Sequence, residues 1–266
     1  MVIVAVCLLA ALGIPVLKRH PVQDQQAVVC QEHLRTLIVG WGAYALDHQN
    51  ELMPNHHWVR GRMGWDPGPG RPSYFDENKL VDTNNSIMAA YVRDPKVYKC
   101  PSDTNKLSSY PRDRVRSVSM NAALAGSSHY APWIGGDSPG GRRYFGREVG
   151  SLFPARRMAD LEKPGPAMVF VFLDEHPDSN FDPSFMFSPG FARGAERWLD
   201  LPGSNHRGAG SLVFADGHGE IHKWRERSGT NKTVYPVSFS TNEVWAAQPL
   251  GVSRDYEWMN DRMPYQ

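Results

Sequence analysis

The first 17 residues, MVIVAVCLLAALGIPVL, form an uncharged apolar run that is followed at once by Lys18, Arg19 and His20. A helix of this length spans about 25 Å, slightly less than the roughly 30 Å hydrocarbon core of a bilayer. We interpret the run as a membrane anchor that is tilted or is missing its first residues, in preference to a cleaved signal peptide or a buried core helix. The residues expected to face lipid or neighbouring helices are Val2, Ile3, Val4, Leu8, Leu9, Leu12 and Pro15.

The segment after Pro21 changes from uniform hydrophobicity to a helical pattern, with apolar residues at steps of three and four. Pro54 follows the pattern, as expected beyond a helix end, and Pro15 and Pro21 are expected to bend the junction with the apolar run. The pattern predicts an amphipathic stalk helix over residues 21–53. Its buried stripe would consist of Ala27, Cys30, Leu34, Leu37, Ile38, Trp41, Tyr44 and Ala45.

The rest of the chain has short elements separated by turn-forming residues. A short helix is expected over 84–92, strands over 114–119 and 167–173, and a β-hairpin over 211–224. A long helix packed on an antiparallel sheet with long loops is an α+β fold. The predicted organisation is an apolar anchor helix (1–20), the stalk helix (21–53) and a loop-rich head (54–266).

The hairpin carries Asp216-Gly217, which predicts a two-residue type I′ turn. That turn would pair Val213 with Glu220 and Ser211 with His222, and would direct Ile221 to the core with Leu212 and Phe214. The opposite face would then present His218, Glu220, His222 and Trp224. Three of these are metal-ligand types, but zinc prefers four ligands and no fourth is evident.

Composition excludes some classes of function but does not identify one. The 29 basic and 28 acidic residues give a formal charge of +1, so the chain has no general attraction to nucleic acid. Glycine (24) and proline (21) are frequent, which indicates many turns, whereas eight Trp, ten Tyr and eleven Phe argue for a folded core.

An acidic segment, LDEHPDSNFD, follows the predicted strand over 167–173. Oxygen ligands this dense suit calcium, although the spacing is not that of an EF-hand. The ligands would be Asp174, Glu175, Asp178 and Asn180. The alternative, which we favour, is that these side chains form turns and cap backbone amides.

Two of the three cysteines, Cys30 on the stalk and Cys100 before Pro101, are candidates for a disulfide that ties the head to the helix. Closing a loop of this length stabilises a fold by about 4 kcal/mol, provided that the compartment is oxidising. Cys7 lies in the apolar run. With no C-x-x-C pair, neither thiol redox chemistry nor a cysteine zinc site is predicted.

A motif joins His206, nine intervening residues, and Asp216-Gly217. With LLAALGIPVLK, CQEHLRTLIVGWGAYALDHQNELMP, DPKVYKCPSD, SVSMNAAL and VFLDEHPDS, it resembles the pilin-like proteins of type II secretion and type IV pilus systems, in particular the pseudopilin-related H-x9-DG group. The resemblance covers nearly the whole chain. The start departs from prepilins, because the basic leader, cleavage-site glycine, phenylalanine and glutamate are not in the sequence, so processing by prepilin peptidase stays an open question.

The resemblance implies a pilin-like fold and a structural subunit, not an enzyme. Its partners would be copies of itself or related pilin-like subunits, the inner-membrane secretion or pilus assembly machinery, and membrane lipid, but no nucleic acid. It implies a single-pass protein of the bacterial inner membrane with the head in the periplasm or at the cell surface. It also raises calcium as a cofactor, because some pseudopilins bind it.

His206 and Asp216 are expected to have separate roles, since nine extended residues reach about 30 Å.

Two other functions compete with the structural subunit. A glycan-binding module or adhesin could stack sugars on exposed tryptophans, although packing beneath the loops is the preferred interpretation of the same residues, Trp58, Trp65, Trp133 and Trp198. A metal-dependent hydrolase is disfavoured because the G-x-S-x-G and H-E-x-x-H motifs are absent. Its candidate residues would be Asp174, Glu175, His176, His206 and Asp216.

Overall fold

The amphipathic segment forms one helix, α1, over Val22–Asp47 in the computed structural model. Every residue of the predicted stripe is at most 9% exposed, so the three- and four-residue periodicity identified the buried face correctly. The helix ends six residues before the predicted boundary at 53. Gln49 and Asn50 adopt φ angles of 54° and 63°, which a right-handed helix cannot accommodate, and the chain reverses there.

The predicted single-pass inner-membrane localisation is contradicted by the structure. Within the residues that the structure describes, no helix combines the length and the hydrophobicity needed to cross a bilayer. The predicted anchor over 1–20 lies outside those residues. The described residues are 22–61, 63, 65, 76–106, 113–125, 143–144, 147–148, 155–187, 196–239 and 250–264.

A five-stranded sheet lies beneath α1. Its strands are β1 (Val118–Asn121), β4 (Phe170–Asp174), β5 (Ser184–Phe185), β6 (Ala209–Phe214) and β7 (Gly219–Lys223). Their order across the sheet is β5-β1-β4-β6-β7. The fold is therefore α+β as predicted, but the sheet is mixed rather than purely antiparallel, because β1 and β5 run parallel. A separate two-stranded ribbon pairs β2 (Arg143–Tyr144) with β3 (Arg147–Glu148).

Among the described residues, the other helical elements are short. The α-helices there are α2 (Asn78–Val81) and α3 (Arg254–Asn260), and the 3-10 turns are Asn55–His57, Ile87–Ala90, Pro95–Tyr98 and Met158–Leu161. The predicted helix over 84–92 contains one of these 3-10 turns, and α3 had no counterpart among the predicted elements.

Both faces of the sheet are covered. On one face, α1 packs through Leu34 and Trp41 against a cluster that includes Met120 and Val213. On the other face, Phe170 and Leu212 belong to a second cluster, to which α3 contributes Tyr256 and Met259. The sheet is thus the middle layer of three, which explains why β1, β4 and β6 are buried along their whole length.

A β-bulge in β4 decides which side chains face α1. The pairing with β6 shifts between Phe170 and Phe172. Val171 and Phe172 consequently both face the α1 side, whereas Phe170 and Leu173 face the opposite side. Because the alternation restarts after the bulge, Asp174 at the end of β4 points back toward α1.

The hairpin register differs from the prediction by one residue. Val213 pairs with Gly219 and Leu212 with Glu220, so the loop contains three residues rather than two. The N–H groups of Phe214 and Gly217 close it, donating to His218 O and Phe214 O at 2.9 Å each, and Gly217 adopts a φ of 92°. A three-residue loop with glycine in the left-handed region is another common hairpin connection.

This one-residue shift reverses the predicted faces of β7 relative to β6. Ile221, expected in the core beside Leu212 and Phe214, is 43% exposed, whereas Trp224 is 1% exposed and packs with those two residues.

Candidate functional site

Four side chains of metal-ligand types meet where α1 crosses the sheet. Cys30, Cys100, Asp174 and His206 place one ligand atom each within 4.8 Å of all the others. The two cysteines and Asp174 are fully buried and His206 is 6% exposed. We call this group the CCDH cluster.

Each member of the CCDH cluster comes from a different part of the fold. Cys30 lies on the buried face of α1, and Cys100 follows the 3-10 turn Pro95–Tyr98. Asp174 is the last residue of β4, oriented toward α1 by the bulge, and His206 lies in the turn that precedes β6. The fold, rather than a local sequence motif, assembles the cluster.

The His206 ring is held on both sides. Its Nε2 lies 3.4 Å from Cys100 Sγ, and its Nδ1 lies 3.4 Å from Ser102 Oγ. Ser102 in turn donates its hydroxyl hydrogen to Gln26 Oε1 at 3.1 Å, so its oxygen is left to accept a hydrogen bond. This arrangement assigns the ring proton to Nδ1 and leaves the Nε2 lone pair directed at the sulfur.

The Asp174 carboxylate is oriented by two donors. Ser117 Oγ donates to Oδ1 at 2.8 Å, and Asn205 Nδ2 donates to Oδ2 at 2.9 Å. Ser117 Oγ also accepts the backbone N–H of Cys100 at 2.8 Å, which connects two members of the cluster. Gly203 passes so close that a Cβ there would lie 2.6 Å from Asp174 O, so only glycine permits this approach.

Burial is the main electrostatic influence on the cluster. It raises the pKa of Asp174 to about 7, raises the pKa of the Cys100 thiol well above its usual range, and lowers the pKa of His206. All three shifts favour the uncharged form of the group, as expected for titratable groups withdrawn from water.

The predicted disulfide is not formed. Cys30 and Cys100 are both buried free thiols, although their sulfur atoms lie within 4.8 Å of each other. The cysteines lie next to a histidine and a carboxylate, and the four side chains together could hold a metal ion.

The two parts of the H-x9-DG motif lie in different places and have separate roles. His206 belongs to the CCDH cluster, whereas Asp216 lies in the hairpin loop, where Oδ1 accepts the N–H of His218 at 3.1 Å and contacts the His218 ring at 2.6 Å. Gly217 provides the left-handed φ angle that the loop requires. The Asp216 carboxylate therefore caps a backbone amide within the turn.

The four calcium-ligand candidates are buried, but their polar atoms have different partners. Asp178 accepts hydrogen bonds from Trp65 Nε1 at 2.6 Å and from Ser238 N at 2.7 Å. Glu175 accepts from Ser179 Oγ at 2.8 Å, while Asn180 donates to Arg116 O at 3.3 Å. Only Asp174 joins the CCDH cluster. Calcium binding by these residues stays a prediction.

The histidines of β7 do not converge either. His222 Nδ1 lies 2.9 Å from Glu220 Oε1, and its ring stacks on Trp258 with the centroids 3.6 Å apart. The His218 ring instead stacks on Phe214 at 4.3 Å. These separate environments give no support to the zinc site considered for this strand.

Three of the four tryptophans proposed for sugar stacking lie within the described residues, and all three are buried. Trp58 and Trp198 are fully buried and Trp65 is 5% exposed. Trp58 Nε1 donates to Pro183 O at 2.8 Å, so its polar atom is also used internally. Trp133 lies outside the described residues.

The hydrolase candidates are likewise divided. Asp174 and His206 meet in the CCDH cluster, and Glu175 is buried next to it in sequence. His176 Nε2 contacts Tyr235 O at 3.0 Å, while Asp216 is in the hairpin loop.

Each residue of the CCDH cluster was singled out in the sequence, but no hypothesis contained all four. The cysteines were assigned to a disulfide, Asp174 to calcium and His206 to a motif, and only the disfavoured hydrolase hypothesis grouped Asp174 with His206. No C-x-x-C spacing signalled their convergence, because the four come from separate segments. The apolar stripe of α1 contained a usable signal, since it placed Cys30 on the sheet side.

The chain is an α+β protein with one mixed sheet between helices. Comparison with protein-family models, curated proteins and solved structures finds no match for it.

Proposed function

We propose that the protein is a structural, pilin-like subunit of a filament related to type II secretion or type IV pilus systems, and that it is not an enzyme. The observation that carries the proposal is a stripe of exposed apolar residues on α1, opposite the face that packs on the sheet. Val28, Val39 and Leu46 are 58%, 71% and 80% exposed.

These three residues lie on one line along α1. At about 3.6 residues per turn, Val39 and Leu46 are close to three and five whole turns beyond Val28. Gly42 lies on the same line, and nothing comes within 4 Å of the position that its Cβ would take. On this side of the helix the Glu32–Arg35 ion pair lies between Val28 and Val39, and Gly42 lies between Val39 and Leu46. Large apolar residues with a small residue between them suit close packing against another helix.

The opposite face of α1 is fixed to the head, so the stripe is presented on a rigid support. Gln31 Nε2 donates to Glu220 O of β7 at 2.7 Å, and His33 Nδ1 contacts Lys99 O at 2.9 Å. Leu34, Leu37 and Trp41 are at most 1% exposed. The helix is anchored in this way along one side, and its exposed side carries Val28, Val39 and Leu46 together with the charged pair Glu32 and Arg35. Burial of the three apolar side chains between helices would favour packing into a filament.

The partner that best fits the stripe is α1 of a second copy of the chain or of a related subunit. Such a partner would present the same apolar line, and pairing would remove three exposed side chains per helix from water. Glu32 and Arg35, which form an ion pair on the exposed side of α1, could set the register of the pair.

The test compares two apolar-to-charged substitutions on α1. Val39→Glu places a carboxylate on the stripe, and Val29→Glu places one about 100° around the helix, at a residue that is 44% exposed. In cells that produce the natural full-length protein, we expect Val39→Glu to reduce the sheared filament fraction about tenfold or more, because it buries a charge between helices. Val29→Glu should assemble like the wild type.

Circular dichroism of both variants establishes that the head is folded in each. The proposal is overturned if the wild type forms no filament by electron microscopy and cell fractionation, or if Val39→Glu assembles at the wild-type level.

A further inference from the structure

We propose that the CCDH cluster of Cys30, Cys100, Asp174 and His206 binds one zinc ion as a four-coordinate structural site. The inference does not depend on filament formation, because it rests only on the interior of the head.

The donor set matches the preferences of zinc. Two sulfur atoms, one imidazole nitrogen and one carboxylate oxygen are the ligand types that zinc takes in tetrahedral protein sites. Thiolate ligands select against calcium and magnesium, which bind oxygen. The two cysteines therefore separate this site from the calcium site considered for the neighbouring acidic segment.

The distances already approach those of a zinc site. Zinc–sulfur and zinc–nitrogen bonds of about 2.3 and 2.0 Å in a tetrahedron place sulfur and nitrogen about 3.5 Å apart. Cys100 Sγ and His206 Nε2 are 3.4 Å apart. All four ligand atoms lie within 4.8 Å of one another, so binding requires only small inward movements of side chains.

The groups around the ligands have the orientation that a metal site needs. A metal-binding imidazole donates its second N–H to a neighbouring acceptor, and Ser102 Oγ lies in that position, 3.4 Å from His206 Nδ1. Ser117 and Asn205 each donate one hydrogen bond to the Asp174 carboxylate, which fixes its plane and leaves further oxygen lone pairs for a metal.

The four ligands would join α1 to three other parts of the head. Cys30 is on the helix, Cys100 follows a 3-10 turn, Asp174 ends β4 and His206 precedes β6. One ion would therefore cross-link the helix to the sheet, as the predicted disulfide would have done, but without an oxidising compartment. Since every ligand is buried, the ion would have no water-accessible position and its role would be structural.

The test measures zinc in the purified full-length chain by mass spectrometry of the elements, after dialysis against metal-free buffer. We expect about one zinc per chain in the wild type. Cys100→Ser and His206→Gln should each reduce the bound zinc at least about tenfold, since losing a ligand weakens such sites strongly. The matched controls, Cys7→Ser and His218→Gln, should retain the wild-type amount.

A second measurement covers variants that fail to fold. In wild-type protein loaded with Co²⁺ in place of zinc, we expect the visible bands of tetrahedral cobalt and a thiolate-to-cobalt charge-transfer band. His206→Cys keeps four ligands, so it should still bind one cobalt ion, with a stronger charge-transfer band from the third thiolate.

The proposal would be overturned by wild-type protein that binds neither zinc nor cobalt, by a wild-type cobalt spectrum without thiolate charge transfer, or by a Cys30–Cys100 disulfide in the isolated chain. Retention of zinc by both Cys100→Ser and His206→Gln would place the metal elsewhere and would overturn it as well.

Discussion

The imidazole Nε2 of His206 lies 3.4 Å from Sγ of Cys100, although 106 positions separate the two residues in the chain. The contact exists because two independent features of the fold converge. The turn before β6 places His206 beside the sheet. The 3-10 turn Pro95–Tyr98 ends close to that turn, and Cys100 follows it by two residues.

Ser117 is the residue that connects this contact to the sheet. Its hydroxyl accepts the N–H of Cys100 and donates to Asp174 Oδ1, both at 2.8 Å, from a fully buried position one residue before β1. One small side chain thus fixes the relative position of two CCDH residues.

We predict that Ser117→Ala lowers the free energy of unfolding by about 2–3 kcal/mol. The substitution leaves a buried N–H and a buried carboxylate oxygen without this partner, and unsatisfied buried groups of this kind are costly. Urea denaturation followed by circular dichroism measures the change. The control is Ser228→Ala at an exposed serine, which should change stability by less than about 0.5 kcal/mol. Equal effects of the two substitutions would contradict the prediction.

A buried ion pair near the cluster gives a second prediction. Arg114 Nη2 lies 3.1 Å from Asp103 Oδ2, and the two side chains are 3% and 1% exposed. Arg114 also donates to Met63 O and Pro177 O at 2.8 Å each. Arg114→Met should destabilise the protein by about 3–5 kcal/mol, because it leaves a buried carboxylate without its cation.

The matched control for Arg114→Met is an exposed pair. Arg157 Nη2 lies 3.4 Å from Glu51 Oε1, with side chains 61% and 58% exposed. Arg157→Met should therefore cost no more than about 1 kcal/mol. Urea denaturation of both variants measures the difference, and a cost for Arg114→Met below about 1 kcal/mol would show that the buried pair contributes little.

The elements that the sequence predicted best are those determined by a long, regular pattern. The buried face of α1, predicted from Ala27 to Ala45, extends over several turns, so a single irregular residue does not change its direction. All of its predicted members are buried. The strands over 114–119 and 167–173 were located to within a few residues, at Val118–Asn121 and Phe170–Asp174.

The predictions failed where a shift of one residue changes which side chains face the core. In the hairpin, a three-residue loop in place of a two-residue loop exchanged Ile221 for Trp224 in the core. In β4, the bulge between Phe170 and Phe172 decides that Asp174 faces α1. The alternation of polar and apolar residues encodes neither event, because both depend on the pairing of strands distant in sequence.

The same limit applies to the CCDH cluster. Local patterns placed Cys30 on a buried helix face and Asp174 at a strand end, but the convergence of four segments is a property of the tertiary structure. The residue types were informative and their spacing was not.

Two glycines with open surroundings give a third prediction, in which one alanine substitution lowers the free energy of unfolding and the other raises it. A Cβ would meet nothing within 4 Å at either Gly217 or Gly42. Gly217 has a φ of 92°, so Gly217→Ala should destabilise the protein by about 1 kcal/mol through backbone strain. Gly42 lies inside α1, where Gly42→Ala should stabilise it by up to about 1 kcal/mol because alanine favours the helix.

Thermal unfolding of the two variants beside the wild type measures both effects. Since neither substitution creates a clash, the comparison isolates backbone conformation. A stabilising effect of Gly217→Ala would show that the loop does not hold the left-handed conformation in solution.

The fourth prediction concerns pH. The side chain of His222 is 11% exposed, its Nδ1 faces Glu220, and its Nε2 has no hydrogen-bond partner among the described residues. Burial lowers its pKa, and this effect exceeds the opposing attraction of Glu220 and Asp255; Arg262 adds to the lowering. Protonation would place an unpaired N–H in a site packed against Trp258.

A lowered native pKa means that the unfolded chain binds this proton first. The stability that neutral His222 contributes is therefore complete above the unfolded pKa of about 6.5 and decreases as the pH falls from there toward the native pKa. His222→Phe keeps a ring against Trp258 but cannot titrate. Between pH 7.5 and pH 5, the wild type should lose more stability than this variant, by at most about 1.4 kcal/mol per pH unit.

Urea denaturation at four pH values measures the difference in unfolding free energy between the wild type and His222→Phe. His176 and His206, whose pKa values burial also lowers, are present in both proteins and cancel in the difference. A difference that is constant across the range would mean that His222 titrates alike in the folded and unfolded chains. A difference that changes in the opposite direction would mean that the attraction of Glu220 exceeds the cost of burial.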